Sequence, residues 1–183
     1  MNSKLQELYD KYHQNLFQFL FYMVKNREQA EDLVQEVYIR VLNSYDRFEG
    51  RSSEKTWIFS IARHAALDYL RKQNRWSQRI FSAFDLTKRP ILDTSPLPEE
   101  IAVQNEMIQQ MYRCMDKCTV DQRSVVILRY IQSLTISETA QILGWTEGKV
   151  KTTQHRAIQV LKANMRELSE KEESIDEKIQ LRR

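Results

Sequence analysis

Glycine and proline are nearly missing from this chain, with three of each in 183 residues. The prolines also fall in one place: Pro90, Pro96 and Pro98 all lie within KRPILDTSPLPEE. Proline has no amide hydrogen and restricts the residue before it. This stretch is therefore excluded from helix interior, while everything around it is free to be helical. Alternating runs of β-branched residues are also lacking, which argues against any sheet. The two cysteines, Cys114 and Cys118, form a C-x3-C pair with no histidine cluster beside it. That is a weak metal signal and reads better as two ordinary helix cysteines in a reducing, cytosolic setting. The apolar run Leu16 to Val24 contains Gln18 and is too short to span a bilayer. The opening residues MNSKLQELYDKYHQN are polar and mixed in charge, unlike a secretory signal. There is no phosphate-cradling glycine loop, no paired-carboxylate metal site in a loop and no Cys/His ligand set. No catalytic residue, metal, cofactor or small-molecule substrate is expected.

What remains is 42% hydrophobic and 29% charged, a composition that can build real cores. The net charge is only +3, but it is unevenly placed. Arg51 to Leu92 holds nine Lys and Arg against three acids, and Lys149 to Arg166 holds five with no acid. Two separate basic segments are the footprint of nucleic-acid contact at two places. The punctuation gives an all-α chain of two small helical domains joined by a proline-containing linker. The first domain spans residues 1–75, the linker 76–98 and the second domain 99–168. A charged tail, 169–183, has few apolar residues and is expected to fray or stay disordered.

Helical spacing runs through Leu5, Leu8, Tyr9, Tyr12, Leu16, Phe19, Leu20 and Met23. Asn26 can cap the next helix, whose core side is Ala30, Leu33, Val34, Val37, Val41 and Leu42. Outside it, Asp32, Gln35 and Glu36 cluster at i, i+3 and i+4, either as a solvated face or as a docking surface for a basic partner. Phe48, Gly50, Arg51, Ser52 and Ser53 form a loop leading into a helix start, suited to a base or phosphate or simply to a capped turn. The helix TWIFSIARHAALDYLRK carries a core stripe of Ile58, Ile61, Ala62, Ala65 and Tyr69. His64, Asp68, Arg71 and Lys72 form a second, polar row, which alone could be solvated.

In the second domain, Glu99 to Lys117 reads as one amphipathic helix with Ile101, Val103, Met107, Ile108, Met111 and Met115 inward. Val120 to Gln132 follows. Ala140, Gly144 and Val150 then stand at A-x3-G-x5-V, the spacing of a helix-turn-helix. The second helix of that pair starts near Glu147. Lys149, Lys151, Thr152, Thr153, Gln154, His155 and Arg156 crowd its first turns, where a recognition helix meets bases and phosphates. The alternative is a plain helical hairpin with a basic face.

Three stretches, in order, resemble the extracytoplasmic-function (ECF) sigma factors of bacterial RNA polymerase, and among them the X-type of Gram-positive bacilli. AEDLVQEVYIRVLNS is similar to the family's polymerase-binding helix in region 2. FEGRSSEKTWIFSIARHAALDYLRK is similar to its promoter-melting and −10-reading segment. VDQRSVVILRYIQSLTISETAQILGWTEGKVKTTQHRAIQVLK is similar to region 4, which reads the −35 element. The resemblance implies that Asp32, Gln35 and Glu36 grip the β′ clamp helices of RNA polymerase core, with region 4 on the β flap. It implies that Phe48, Gly50, Arg51, Ser52 and Ser53 hold a flipped −10 base and that Arg63, His64, Asp68, Arg71 and Lys72 read around it. Lys151, Thr152, Thr153, His155 and Arg156 match the −35 readers. His64 stands where the family commonly has Asn, and Thr153 where Arg is frequent, so the preferred base and the −35 sequence do not carry over. Promoter DNA, core polymerase and an anti-sigma factor, often a membrane protein, are the implied partners of a cytoplasmic transcription initiation factor. The competing reading is a stand-alone helix-turn-helix regulator with an N-terminal sensor or dimerisation domain.

Overall fold

The computed structural model describes residues 3–84, 99–104 and 106–180; the proline-containing part of the linker, 85–98, lies outside them. Helix α1 (Ser3–Val24) buries Leu8, Tyr12, Leu16, Phe19, Leu20 and Met23 along one side. It ends where Lys25 takes a left-handed backbone, φ 56°. Asn26 then caps α2 (Arg27–Ser44) by accepting a bond from the Gln29 amide. Helix α2 turns Ala30, Leu33, Val34, Val37 and Val41 inward, with Tyr38 beside them. A 3-10 turn, Tyr45–Arg47, and the loop through Gly50 (φ 68°) lead to α3 (Glu54–Phe84). Of the two serines that could cap α3, Ser53 does so: its hydroxyl accepts from the Thr56 amide at 3.1 Å. Ile58, Phe59, Ala62, Ala65 and Ala66 are buried, and Phe59 meets Phe19 edge-on at 5.6 Å. Each large side chain taken from water in this way contributes about 1.5–3 kcal/mol.

Two residues assigned to the core of this domain are outside it. Tyr9 is 42% exposed, stacked at 4.4 Å on His13 at the domain surface. Leu42 is 49% exposed, because Val41 beside it takes the inward position on α2.

The second domain begins with α4 (Glu99–Ala102) and α5 (Glu106–Cys114) rather than one continuous helix. The Gln109 side chain donates to the carbonyls of Ala102 and Gln104, satisfying backbone groups that the break would leave orphaned. Val103 and Met107, expected inward, are therefore 76% and 69% exposed. Cys114 and Cys118 are free and buried on either side of a 3-10 turn, Met115–Lys117, and burial pushes both thiols up.

Helix α6 (Val120–Val126) opens on a capping box between Thr119 and Gln122 and widens into a π turn, Ile127–Ile131. Helix α7 (Ile136–Leu143) has a second capping box, between Thr135 and Glu138. The amide and hydroxyl of Thr135 hold the Glu138 carboxyl below its ordinary range. That pair contributes stability above the unfolded-state pKa, lost as pH falls through the lower folded value. Gly144 ends α7 with φ 65°, and α8 (Glu147–Gln180) follows, its Lys149 amide bonded to the Thr146 hydroxyl. Ala140, Val150, Ala157 and Leu161 close the core of the pair. Helix α8 continues to Gln180, well into the segment read as a frayed tail, and α3 runs past Arg75 to Phe84.

The two domains pack on each other. Helix α3 lies against α7, and α1 lies against α6 and its π turn. Arg123 donates to the Met23 carbonyl at the end of α1 (2.9 Å), Lys25 pairs with Asp116 (2.7 Å), and Asn15, Gln132 and Gln18 form a hydrogen-bonded chain. Phe21 stacks on Tyr112 at 5.9 Å.

Because nothing lies within 4 Å of where a Cβ would sit on Gly144, only its backbone conformation resists substitution. Gly144→Ala should cost about 1–2 kcal/mol, and Gly144→Asn clearly less, read as shifts of the urea midpoint.

Candidate nucleic-acid interface

Helix α3 places His64, Arg71 and Lys72 on an exposed flank, with Asp68 half-exposed among them. Asp68 is bracketed by Arg71 (3.7 Å) and by Arg40 of α2 (3.6 Å), which also binds Glu36. The acid of the row thus orients two arginines rather than repelling an anion. His64 Nδ1 lies 2.7 Å from the Ser60 carbonyl. A carbonyl only accepts, so the proton is on Nδ1, and Nε2 of the neutral ring is left as an acceptor for an incoming group.

Arg63 does not join this flank. It is 7% exposed and turned toward the second domain, 3.7 Å from Asp121 and with its guanidinium 5.7 Å from the centre of the Trp145 ring. Burial lowers its pKa and Asp121 raises it, while its Nε has no hydrogen-bond partner.

In the loop, Gly50, Arg51 and Ser53 are exposed, with Ser52 half-buried. Phe48 rests on Trp57 at 4.8 Å, and Trp57 meets Tyr45 edge-on at 5.9 Å. Ser53 spends its hydroxyl on capping α3, so Arg51 and the backbone around Gly50 are the groups best placed to meet a ligand. Trp57 is missing from the sequence reading. Its signal was a tryptophan in the first turn of a helix that follows a candidate binding loop.

On α8, Lys149, Lys151, Thr152, His155 and Arg156 are exposed, and Thr153 is half-buried on the side toward Ala157. Lys149 lies over Trp145 at 3.9 Å, and the Thr152 hydroxyl donates back to the Gly148 carbonyl. Gln154 is not free to read a base. Its carbonyl oxygen accepts from Arg129 (3.1 Å) and its amide donates to the Tyr130 hydroxyl (3.0 Å). Arg129 also binds the Leu134 carbonyl. The π turn brings two successive residues, 129 and 130, to one side chain of α8, which fixes the angle at which α8 stands.

On α2, Asp32 and Gln35 are exposed and Glu36 is held by Arg40. Ile39, 58% exposed, and Leu42 extend the same helical face as an apolar strip that the sequence reading did not include.

An exposed basic helix in a helix-turn-helix, with a second basic helix in a separate domain of the same chain, defines a two-site DNA-binding protein. The comparisons give this class its family. A sigma-70 region 2 family model matches residues 8–76, and a sigma-70 region 4 model matches residues 108–161. The chain is 55% identical over 183 residues to the ECF RNA polymerase sigma factor SigX of Bacillus subtilis, covering 100% of this chain and 93% of that one. It is 32% identical over 170 residues to the sigma factor YlaC of the same organism, covering 93% and 96%. The fold is also that of the sigma factor RpoE solved with the anti-sigma factor NepR from Bartonella quintana. There the TM-score is 0.72 at 23% identity, over 91% of this chain and 98% of that one. CnrH, solved with the cytosolic domain of CnrY, gives a TM-score of 0.64 at 17% identity, over 89% and 88%. The chain belongs to the ECF family of RNA polymerase sigma factors.

Removing the strut under α8 should loosen it without removing a DNA contact. Gln154→Ala is expected to cost about 1 kcal/mol of stability and to weaken nuclease protection across the whole −35 element. A loss confined to one base pair would instead make Gln154 a direct reader.

Proposed function

We propose that this chain directs core RNA polymerase to its promoters through two DNA contacts and one protein contact, and has no chemistry of its own. The observation that carries this reading is the presence, in one chain, of the exposed α8 face and the α3 flank on separate domains. In the second domain, Lys149, Lys151, Thr152, Thr153, His155 and Arg156 present α8 to the −35 major groove. Lysine and arginine serve phosphate or guanine, and threonine serves base edges. In the first domain, His64, Arg71 and Lys72, oriented through Asp68, meet the separated −10 strand, and Arg63 joins them when it is released from the second domain. Phe48, Gly50, Arg51, Ser52 and Ser53, over Trp57, receive a base drawn from the stack. Drawing out each base costs a few kcal/mol, which the basic flank and the polymerase must offset.

Asp32, Gln35 and Glu36, continued by Ile39 and Leu42, form the polymerase-facing surface, set against the β′ clamp helices, while the second domain serves the β flap. An anti-sigma factor covering these faces is the expected inhibitor, since the structural neighbour RpoE was solved with such a partner. Among the described residues no helix is long and apolar enough to cross a membrane. The place of action is the cytoplasm, and any hold at the membrane would come from that inhibitor.

Core polymerase, this protein and a promoter library should together give transcripts from a defined promoter set; no promoter-dependent transcript refutes the reading. Asp32→Lys should abolish holoenzyme assembly in a pull-down while leaving the melting curve unchanged. Because it leaves the Glu36–Arg40–Asp68 chain intact, it tests the patch more cleanly than a change at Glu36. Arg156→Ala should weaken −35 binding and reduce the salt slope of the holoenzyme–promoter affinity by about 1.

A further inference from the structure

Helix α3 continues well beyond its polar row, to Phe84. Its two acids, Glu54 and Asp68, both precede Tyr69. From Tyr69 to Phe84 it carries Arg71, Lys72, Arg75 and Arg79 and no acid. In the same stretch stands Trp76, 65% exposed. Tryptophan is highly buried on average, and the other two of this chain, Trp57 and Trp145, are half-buried beneath Phe48 and Lys149. An exposed indole in a helix segment of one charge sign is a surface with an anionic, partly apolar partner.

Tyr69, Lys72, Gln73, Arg75 and Trp76 line one hollow of about 600 Å³. Side chains three, four and seven residues apart share a helix face, which brings Tyr69, Lys72, Gln73 and Trp76 together. The Gln73 amide donates to the Tyr69 hydroxyl at 3.1 Å, which holds the phenol and leaves its own proton for an outside acceptor. The indole N–H of Trp76 can only donate. Lys72 and Arg75 are exposed, and among the described residues neither has an acidic partner. Two cations, a phenol proton and an indole N–H around an apolar ring suit a sugar–phosphate backbone, whose phosphates accept hydrogen bonds and whose sugars pack on the ring.

The place of the hollow narrows the partner further. Trp76 lies twelve residues after His64, or about 18 Å along the axis at roughly 1.5 Å per residue. That is about five base steps at roughly 3.4 Å each. The displacement is toward the end of α3, from which the linker leads to the second domain and its −35 helix. DNA that has passed His64 in this direction is on its way to a major groove, and so is paired. We propose that Tyr69, Lys72, Arg75 and Trp76 form a further DNA-binding surface, which grips the backbone of the duplex spacer beside the −10 element. Lys72 stands at the edge of both surfaces and joins them. The proposal rests on the reading of α3 as the −10 helix. It gives the chain a hold on spacer DNA that does not depend on base sequence, since backbone contacts position a protein without reading bases.

The test uses holoenzyme assembled from core polymerase and the full-length chain, on a promoter taken from the transcription assay. A second copy of that promoter carries uncharged methylphosphonates at the spacer phosphates bordering the −10 element. Hydroxyl-radical cleavage reports which sugars are covered, and a salt titration gives the affinity and its slope. The wild type should protect spacer sugars beside the −10 element. Trp76→Ala should lose that protection and bind the natural promoter about three- to tenfold more weakly, with Trp76→Phe between the two because it keeps a ring and loses the N–H. Arg75→Gln should lower the salt slope by about 1. On the methylphosphonate promoter the gap between wild type and each variant should close. If Trp76→Ala lowers the melting temperature, Arg75→Gln, at an exposed position, carries the test. Variants that bind and protect as the wild type does overturn the proposal. So does a loss of equal size on both promoters, because Trp76 then meets the linker, the polymerase or unpaired DNA instead. Either result, with the wild type still transcribing, leaves the promoter reading intact; a wild type that gives no promoter-dependent transcript sinks both.

Discussion

Ala62, Ala65 and Ala66 give α3 a narrow, smooth flank, and the arrangement of the described chain follows from what can approach it. Small side chains let a neighbouring helix come close, so α1 and α2 close over Ile58 and Phe59 and build the first core. Another side of α3 faces α7, a helix of the second domain. A helix packed from two directions has only a strip left for solvent, and in α3 that strip holds His64, Asp68, Arg71 and Lys72. The polar, largely basic flank is therefore what remains after two packing demands are met. Its orientation is held by cores on either side rather than by the loop that precedes it.

Where the domains meet, unsatisfied polar groups decide the geometry. The last carbonyls of α1 have no partner within the helix. Met23 finds one in Arg123, whose guanidinium also approaches the Met115 carbonyl and Asp116. Ser124, fully buried, bonds the Val120 carbonyl and touches the sulfur of Met23. Lys25 takes a left-handed backbone there and reaches Asp116. The second domain thus completes the end of α1. Such a contact has a defined register yet is made of bonds that water can replace, which suits a joint more than a core.

The helices and the two-domain division were legible because the periodicity was strong and the breakers were few. The caps of α2 and α3 followed from residue chemistry: Asn26 and the Ser52–Ser53 turn were both offered by the sequence, and Asn26 and Ser53 fill the roles. Three kinds of feature were not legible. The break between α4 and α5 depends on the Gln109 side chain reaching back across it, which no periodicity records. The exposure of Tyr9, Leu42, Val103 and Met107 depends on which of several apolar neighbours wins the inward position. The fate of Arg63 and Gln154 depends on partners far away in sequence: Asp121 and Trp145 for one, Arg129 and Tyr130 for the other. Of the proposed interface, the exposed members of both basic helices could be read directly. The residues that hold those helices in place could not, because a strut differs from a reader only in what it touches.

Trp145 receives a cation from each domain, the Arg63 guanidinium from α3 and the Lys149 ammonium from α8. A ligand that draws either cation off the ring acts on the tie between the domains as well, and parting the domains must in turn ease that ligand's binding by the same free energy, since linkage between two equilibria is reciprocal.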